Sequence, residues 1–592
     1  MFDIIIRGGT IVDGSGKQGF VSDLGIEDDK ITAISNLSTG KAKKTINATG
    51  LYITPGFIDS HSHADASVPM WPDMESALGQ GITTCVTGHC GISLAPINKY
   101  WLEQGFESPA FDRIIPPYPG GPLPGAGRIL PTDDFAQVFE ETFKTALDWR
   151  SFGEFLDRLD TGIGANMVCH VGHKQLRQQV LGIDSGRAAS DDELKEIGSL
   201  LRECLEAGAW GLGFGLDYFS SGDAAQNELL YLMQIVKEYD KLVTAHVQSR
   251  AIRRGKNNPR HLYGEGLIEF LELGKESGAR VHISHLNSIS TSPGNEPGIY
   301  LLNSKAAEAS LAIIEHYRKT GIRVTWDRLC APVIPYYYFP LLAYKFRPYA
   351  DDCGGPEGFS EALNSGWYRQ TLIKEIRDGN HRGKLSFVSF NFDTAGDLTC
   401  IKTTENNITG LTLSQIAEKN GKNLLESALD ILSIDPYAKF HRKLVFSPET
   451  AKVFARCDDV SFGTDNGAYN YDHAQLDAPG FISHGTPSAF CQMIAYLEQD
   501  YGLSFEQMIR RLSANAAGSF GISNRGTLQE GYFADILVIN KEKLCSNFNL
   551  IEPRTQPSGI EYVIVNGKIA LEKGTFMSNR PGKSIRSYKS KD

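Results

Sequence analysis

No run of apolar residues in this 592-residue sequence approaches the roughly eighteen in succession that a membrane-spanning helix requires. Positive charge is also scarce. Against 59 Lys and Arg stand 70 Asp and Glu, a net charge of −11, whereas a phosphate-backbone partner calls for a basic stripe. Neither a membrane nor a nucleic acid is therefore an expected partner, and the basic end KSIRSYKSKD reads as a solvated tail. The opening MFDIIIRGGTIVDG lacks a basic leader, a sustained apolar segment and a small-residue cleavage site, which makes the cytoplasm the expected compartment. The ten cysteines form no paired framework, so disulfides are not expected; buried thiols are, with one metal ligand or nucleophile among them. No repeat beyond a strand–helix rhythm and no low-complexity tract is present.

What remains is a globular composition, 41% hydrophobic and 22% charged, long enough for one large catalytic domain with accessory modules. The first residues, DIIIRGGTIVD and GFVSDLGIEDDKITAIS, alternate like short antiparallel strands. The same signal returns in ADILVINKEKL and GIEYVIVNGKIALEKG, with a hairpin turn expected at Asn566-Gly567. Residues 1–54 and 521–592 are thus expected to form one small β-sandwich module. Between them, residues 55–520 alternate short apolar runs with helix-like segments such as DDELKEIGSLLRECLEAG. Eight runs can be counted: LYITPGFIDS, TTCVTG, ANMVCHVG, WGLGFG, KLVTAHV, ARVHISHL, IRVTWD and DVSFGTD. Eight parallel strands with crossover helices imply an α/β fold, a (β/α)8 TIM-type barrel. Two stretches exceed a minimal barrel, about 94–145 with its Pro/Gly-rich segment Pro116 to Gly127, and about 330–450; both are expected to be lid insertions.

The first run ends in His61-Ser62-His63, and residues two apart on a strand face one side. Among 14 His, some His-x-His arises by chance roughly one time in three, so the pair alone decides little. Position is more telling. His61 and His63 end strand one, Cys90 follows strand two, His246 ends strand five, His285 strand six and Asp465 strand eight, and barrel active sites lie at that end. A single interior imidazole is usually just hydrogen-bonded, but imidazoles, a thiolate and a carboxylate together are Zn²⁺ ligands, enough for one or two ions sharing a bridge.

GFIDSHSHAD, TAHV, ISHL and GTDNG resemble the amidohydrolase superfamily. TGHCGIS, VGHKQLR, GLGFGLDY, NRGTLQEGYFADILVIN and SGIEYVIVNGK resemble, within it, the N-acyl-D-amino-acid deacylase (D-aminoacylase) family. The resemblance implies a metal-dependent hydrolase of C–N amide bonds acting on a small N-acyl substrate. It implies that His246, His285 and Cys90 form the tighter zinc site, His61 and His63 a second, with Cys90 as bridge in place of a carboxylated lysine; Lys174 is the rival bridge. Asp465 is both a ligand candidate and the expected general acid/base, taking a proton from water and returning it to the leaving nitrogen. Cys85 is assigned to packing. A cyclic amide or imide hydrolase, as in dihydropyrimidinase-like relatives, is the alternative, and an inactive scaffold a third; a homo-oligomer is compatible with either enzyme.

Substrate-binding residues depart from that family, where strand five carries Arg and strand six Lys at the positions of Gln248 and Asn287. Carboxylates are ordinarily held by Arg or Lys. Arg250 is the candidate replacement, or part of the solvated loop QSRAIRRGK. Asp327 on strand seven is kept, the run around Tyr337 offers apolar contacts or lid packing, and His484 is a further substrate contact, while His473 reads as surface.

Overall fold

The computed structural model describes residues 1–98, 140, 144–182, 185–216, 220–247, 263–286, 303–330, 336–340, 346–377, 396, 398–405, 407–443, 448–471, 488–547 and 555–588. At the N-terminus, β1 (Phe2–Ile11), β2 (Phe20–Glu27), β3 (Lys30–Ser35), β4 (Ala42–Asn47) and β5 (Tyr52–Pro55) follow from alternating β-branched residues, with Ile4, Ile6, Leu24, Ile26 and Ile53 pointing into one core. The expected first barrel strand is split. At Gly56 the chain runs so close to Thr83 that a Cβ would lie 2.1 Å from its Oγ, and β6 (Phe57–Asp59) continues in a different sheet from β5.

β6 pairs in parallel with β7 (Ile82–Thr87), and β7 with β8 (Asn166–Cys169). After His170 the strand resumes as β9 (Val171–Gly172), the first of a parallel series with β10 (Gly211–Gly215), β11 (Leu242–His246), β12 (Arg280–Ile283) and β13 (Val324–Leu329). Helices separate them, most with one buried face. In Asp191–Glu206, Ser190 caps the N-terminus in a box with Glu193, three acidic residues occupy the first turn, and Ile197, Leu201, Cys204 and Leu205 form the buried face.

After β13 the chain enters the second expected insertion, where β14 (Tyr336–Pro340), β15 (Thr399–Lys402) and β16 (Lys439–Lys443) form an antiparallel sheet in the order β14-β16-β15. With helices such as Gly366–Arg377 and Leu424–Ile434 it encloses its own core of Phe346, Phe359, Leu372, Leu398, Leu429 and Phe440. The first insertion lies largely outside the described residues, including Pro116 to Gly127; its flanks Leu94, Ile97, Leu147 and Trp149 are buried in the main core.

β17 (Ser461–Gly463) then pairs in parallel with β13. Beyond it, the Ser60 N–H donates to the Phe462 carbonyl at 3.1 Å, and that of Asp465 to His61 at 2.7 Å, so the last parallel strand is hydrogen-bonded to the segment following the first. Finally β18 (Ile536–Ile539), β19 (Ile560–Val565), β20 (Lys568–Glu572) and β21 (Thr575–Phe576) join β1–β5. The strands of the two ends are hydrogen-bonded into one nine-stranded sheet, with β18 on β5 and Ile536, Val538 and Ile564 sharing a core with isoleucines of the N-terminal strands. Asn566 and Gly567 both have positive φ, 47° and 74°, as the tight hairpin turn requires.

Part of the tail, about residues 584–587, departs from its expected solvation, while Lys583 and Tyr588 are exposed and residues 589–592 lie outside the described residues. Gly582 and Ile585 donate backbone hydrogen bonds to Ile163 and Met167 at 2.7 Å each, and Arg586 pairs with Asp157 and Asp160. Its charges looked like a solvated end, but Arg586 has acidic partners on helix Phe152–Asp160 and the backbone occupies the open edge beside β8. Among the described residues no helix is long and apolar enough to cross a membrane.

Because the insertion has a separate core, Phe440→Ala should lose about 3–5 kcal/mol there and split thermal unfolding, with an early transition for the insertion and the remainder melting near its original temperature. Scanning calorimetry checks this; a single transition shifted as a whole would mean that the insertion and the parallel sheets unfold together.

Candidate metal centre

The C-terminal ends of the parallel strands bring six expected ligands together. After β6, the Ser62 N–H donates to Val86 and that of His63 to Asn466, both at 2.9 Å, fixing His61 and His63 between β7 and the turn after β17. Gly463 permits this approach: a Cβ there would lie 2.3 Å from that of His61. Asp59 reinforces the join, accepting from the backbone of His61 and Thr464 at 3.2 and 2.9 Å and from the Thr464 hydroxyl at 2.6 Å. Burial raises its pKa to about 7 against those bonds.

Cys90 lies in the turn after β7, His246 is the last residue of β11, and His285 and Asp465 sit two residues beyond β12 and β17. Cys90, His285 and Asp465 have positive φ, 56°, 37° and 53°, a conformation rare outside glycine and costing about 1–3 kcal/mol per residue. Such strain turns each side chain out of its strand direction.

Cys90 Sγ is 3.5 Å from His61 Nε2, 3.5 Å from His285 Nε2 and 3.7 Å from His246 Nδ1. His246 Nδ1 and His285 Nε2 are 2.9 Å apart. Asp465 Oδ1 is 3.0 Å from His63 Nε2 and 3.4 Å from His61 Nε2. Two groups result, His61, His63, Cys90 and Asp465 in one, Cys90, His246 and His285 in the other, with ligand atoms in each within 4.8 Å of one another. Cys90 belongs to both. Lys174 is buried in the first turn of helix His173–Leu181, its backbone N–H donating to the Gly91 carbonyl at 3.0 Å. Cys85 is buried in the main core, as packing requires.

The electrostatics pair buried anions with protonated imidazoles. Burial alone would raise the Cys90 thiol, but His61, His246 and His285 outweigh it and hold its pKa well below the ordinary value. Burial likewise disfavours protonated His61 and His63, yet Asp327 and Cys90 hold His61 well above its ordinary value, and Asp465 and Cys90 bring His63 to about 9. The protein's own anions thus retain protons on imidazoles whose lone pairs would otherwise be free.

Beneath the ligands lies an interior layer that sequence reasoning missed or left without a role. Asp327 on β13 accepts from His282 Nε2 at 2.8 Å and from the His285 backbone N–H at 2.7 Å, and its Oδ2 lies 3.5 Å from His61 Nδ1. Burial pushes its carboxyl up, but His61 and His282 hold it at about 2. His89 stacks on His61 at 4.1 Å between ring centroids, and its pKa falls well below ordinary through burial and the neighbouring imidazoles. Behind the Cys90 turn, His173 bonds Ser221 at 2.8 Å and Glu228 at 2.9 Å, and Arg177 pairs with Glu228 at 2.5 Å. His89 stands in TGHCGIS and His173 and Arg177 in VGHKQLR, so the motifs carried a signal without a role. Of the expected substrate contacts, Gln248, Arg250, Asn287 and His484, with His473, lie outside the described residues; Tyr337 is in β14, opposite Arg442.

Two family models described as Amidohydrolase family match residues 44–290 and 442–570. The chain is similar to the D-aminoacylase of Alcaligenes xylosoxydans xylosoxydans, 26% identical, with 99% of this chain and 97% of the relative covered. Among solved structures it resembles an N-acyl-D-glutamate deacylase from Bordetella bronchiseptica complexed with zinc and a phosphonate inhibitor, at TM-score 0.67, 23% identity and 99% and 100% coverage. It also resembles the L-hydantoinase of Arthrobacter aurescens, at TM-score 0.51, 16% identity and 99% and 100% coverage.

A cation entering this cluster must displace the protons held on His61 and His63, the latter retained up to about pH 9 in protein stripped of metal. Apparent zinc affinity should therefore climb with pH from neutrality through about 9, with protons from both imidazoles released on binding. Cys90, its pKa already lowered, should contribute none of them near neutrality. Calorimetric titration in buffers of different ionisation enthalpy measures the release, and a pH-independent affinity from 7 to 9 contradicts it.

Proposed function

The chain belongs to the amidohydrolase family, and from that premise we propose that it is a zinc-dependent hydrolase of C–N amide bonds, an N-acyl-D-amino-acid deacylase acting on an N-acylated amino acid or a related amide. The observation that carries this reading is the shared thiolate position, Cys90 Sγ within 3.5–3.7 Å of imidazole nitrogens from both groups. Tetrahedral ligands bonded to zinc at 2.0–2.3 Å stand about 3.3–3.8 Å from one another, which matches these separations. The imidazole, thiolate and carboxylate set suits one or two zinc ions, with His61, His63, Cys90 and Asp465 holding one and Cys90, His246 and His285 the other.

Zinc held there supplies Lewis acidity, bringing the pKa of water toward neutrality and polarising an amide carbonyl. Asp465 is the proton carrier: its carboxylate is partly exposed at the mouth, takes the proton of the attacking water and delivers it to the leaving nitrogen. His63 accompanies it at 3.0 Å and steadies its orientation. His61 and Cys90 are buried below them and keep bulk water from the ligand atoms.

The parallel strands, with the hydrogen bonds from Ser60 to Phe462 and from Asp465 to His61, support reading residues 55–520 as a single (β/α)8 barrel and residues 1–54 and 521–592 as its flanking β-module. Substrate choice rests on Gln248 and Asn287, whose amides hydrogen-bond neutral groups well but give up charge-assisted contacts to a free α-carboxylate. The preferred substrate is accordingly bulkier, or less dependent on that carboxylate, than a simple N-acetyl-D-amino acid. Assembly of all six ligands argues against an inactive scaffold, and the hydantoinase likeness bears on the fold alone.

Two sets of variants and a substrate panel test this reading. Cys90→Ala should lose zinc and activity together by elemental analysis and amide-hydrolysis assay; full zinc content would remove Cys90 from the site. Asp465→Asn should remain folded while turnover falls at least about a hundredfold, and near-normal turnover would assign the proton transfer elsewhere. Amine release should come from N-acyl-D-amino acids and their carboxyl-blocked forms but not from L forms or cyclic imides. Fast cleavage of free acids alone would point to Arg250 as a replacement cation, and ring opening of imides to the cyclic-amide reading.

A further inference from the structure

Asp327 is buried, sits on β13 between β12 and β17, and takes no part in the proton transfer assigned to Asp465. Its two oxygens meet three nitrogens from separate places in the fold. Oδ1 accepts from the backbone N–H of His285, the residue with φ of 37°. Oδ2 accepts from His282 Nε2 at 2.8 Å and faces His61 Nδ1 at 3.5 Å. Among the described residues His61 Nδ1 is buried without a hydrogen bond of normal geometry, and His89 stacked on the ring restricts its tilt. Asp327 therefore reaches from β13 past β17 to the segment after β6, and touches one member of each ligand group.

We propose that Asp327 is a positioning residue common to both ligand groups, fixing the ring proton of His61 and the strained backbone of His285 on either side of Cys90. The inference rests on the zinc-binding reading above. For His61 Nε2 to direct a lone pair between Cys90 and Asp465, its proton must sit on Nδ1, toward Asp327. For the His285 ring to reach Cys90, its backbone must hold the left-handed conformation that Asp327 anchors. A carboxylate accepts from all three donors. An amide in its place has one acceptor oxygen and an NH₂ that donates.

Asparagine is therefore the wrong isostere here. With its oxygen toward His285, its NH₂ faces His61 and His282 and favours the His61 tautomer carrying hydrogen on Nε2, which cannot ligate. Turned over, it sets donor against donor at the His285 backbone. Alanine presents no donor, and the space it leaves accommodates a water that can accept from the same groups. A packing role predicts the reverse order, since asparagine preserves volume and alanine does not.

Competition titration of protein stripped of metal, with a zinc-binding chromophore, decides between these roles, read alongside thermal melts. Zinc affinity should fall in the order wild type, Asp327→Ala, Asp327→Asn, with the Asn variant weakened about 10–100-fold at both binding steps even though it melts above the Ala variant. His63→Ala, which alters one group only, should weaken a single step. Wild-type affinity in Asp327→Asn, or weaker binding by Ala than by Asn, overturns the inference while leaving the zinc reading intact. Absence of zinc uptake by the wild-type protein overturns both.

Discussion

A buried thiolate is the constraint around which this structure is arranged. Cys90 is 2% exposed, and an anion at that depth is tolerated only beside positive charge or a metal. Imidazoles surround the sulfur: His61 from the segment after β6, His246 from β11 and His285 from beyond β12. Because these ligands belong to strands far apart in sequence, the site exists only once the parallel strands are in register. The fold and the chemistry are therefore one problem, since each strand end must deliver a donor to within a few ångströms of one sulfur atom.

Delivering those donors costs conformational strain. Positive φ at Cys90, His285 and Asp465 costs about 1–3 kcal/mol each, a sum comparable to the whole stability of a small domain. Local hydrogen bonds hold two of these residues, Asp327 at the His285 N–H and the His61 carbonyl at the Asp465 N–H. Structural zinc binding, at about 10–16 kcal/mol in small peptides, would exceed such strain, so the proposed metal and these backbone contacts together would suffice to keep the turns in place.

Much of this was legible before any coordinates, and what was not had a physical reason. The eight apolar runs were readable because buried parallel strands are short and β-rich, and the ligands because a strand end concentrates His and Asp beside glycine. Splitting of the first run at Gly56 was hidden, as it depends on Thr83, a contact between segments. The tail misled because Arg586 looks solvated until Asp157 and Asp160 come to face it. Asp327 was noticed without a role, since its partners His61, His282 and His285 come from two other places in the chain. The insertion's separate core was missed because its buried residues are spread from Phe346 to Phe440 with no single strong period.

The gradient of exposure through the site gives the reaction a direction. His61 is fully buried and Cys90 nearly so, whereas the side chains of His63 and Asp465 are 17% and 15% exposed. Below them His89, His170 and His282 fill the interior against Phe520, with ring centroids 4.4–6.0 Å from the phenyl ring. Among the described residues that floor is packed, so the proposed amide substrate would reach the site from the side of His63 and Asp465. The carboxylate proposed as proton carrier thus lies on the more exposed side of the site, while the thiol common to both ligand groups lies deeper. Such a division suits hydrolysis: the exposed carboxylate can exchange protons between turnovers, and the buried sulfur is shielded from oxidation and from competing protons.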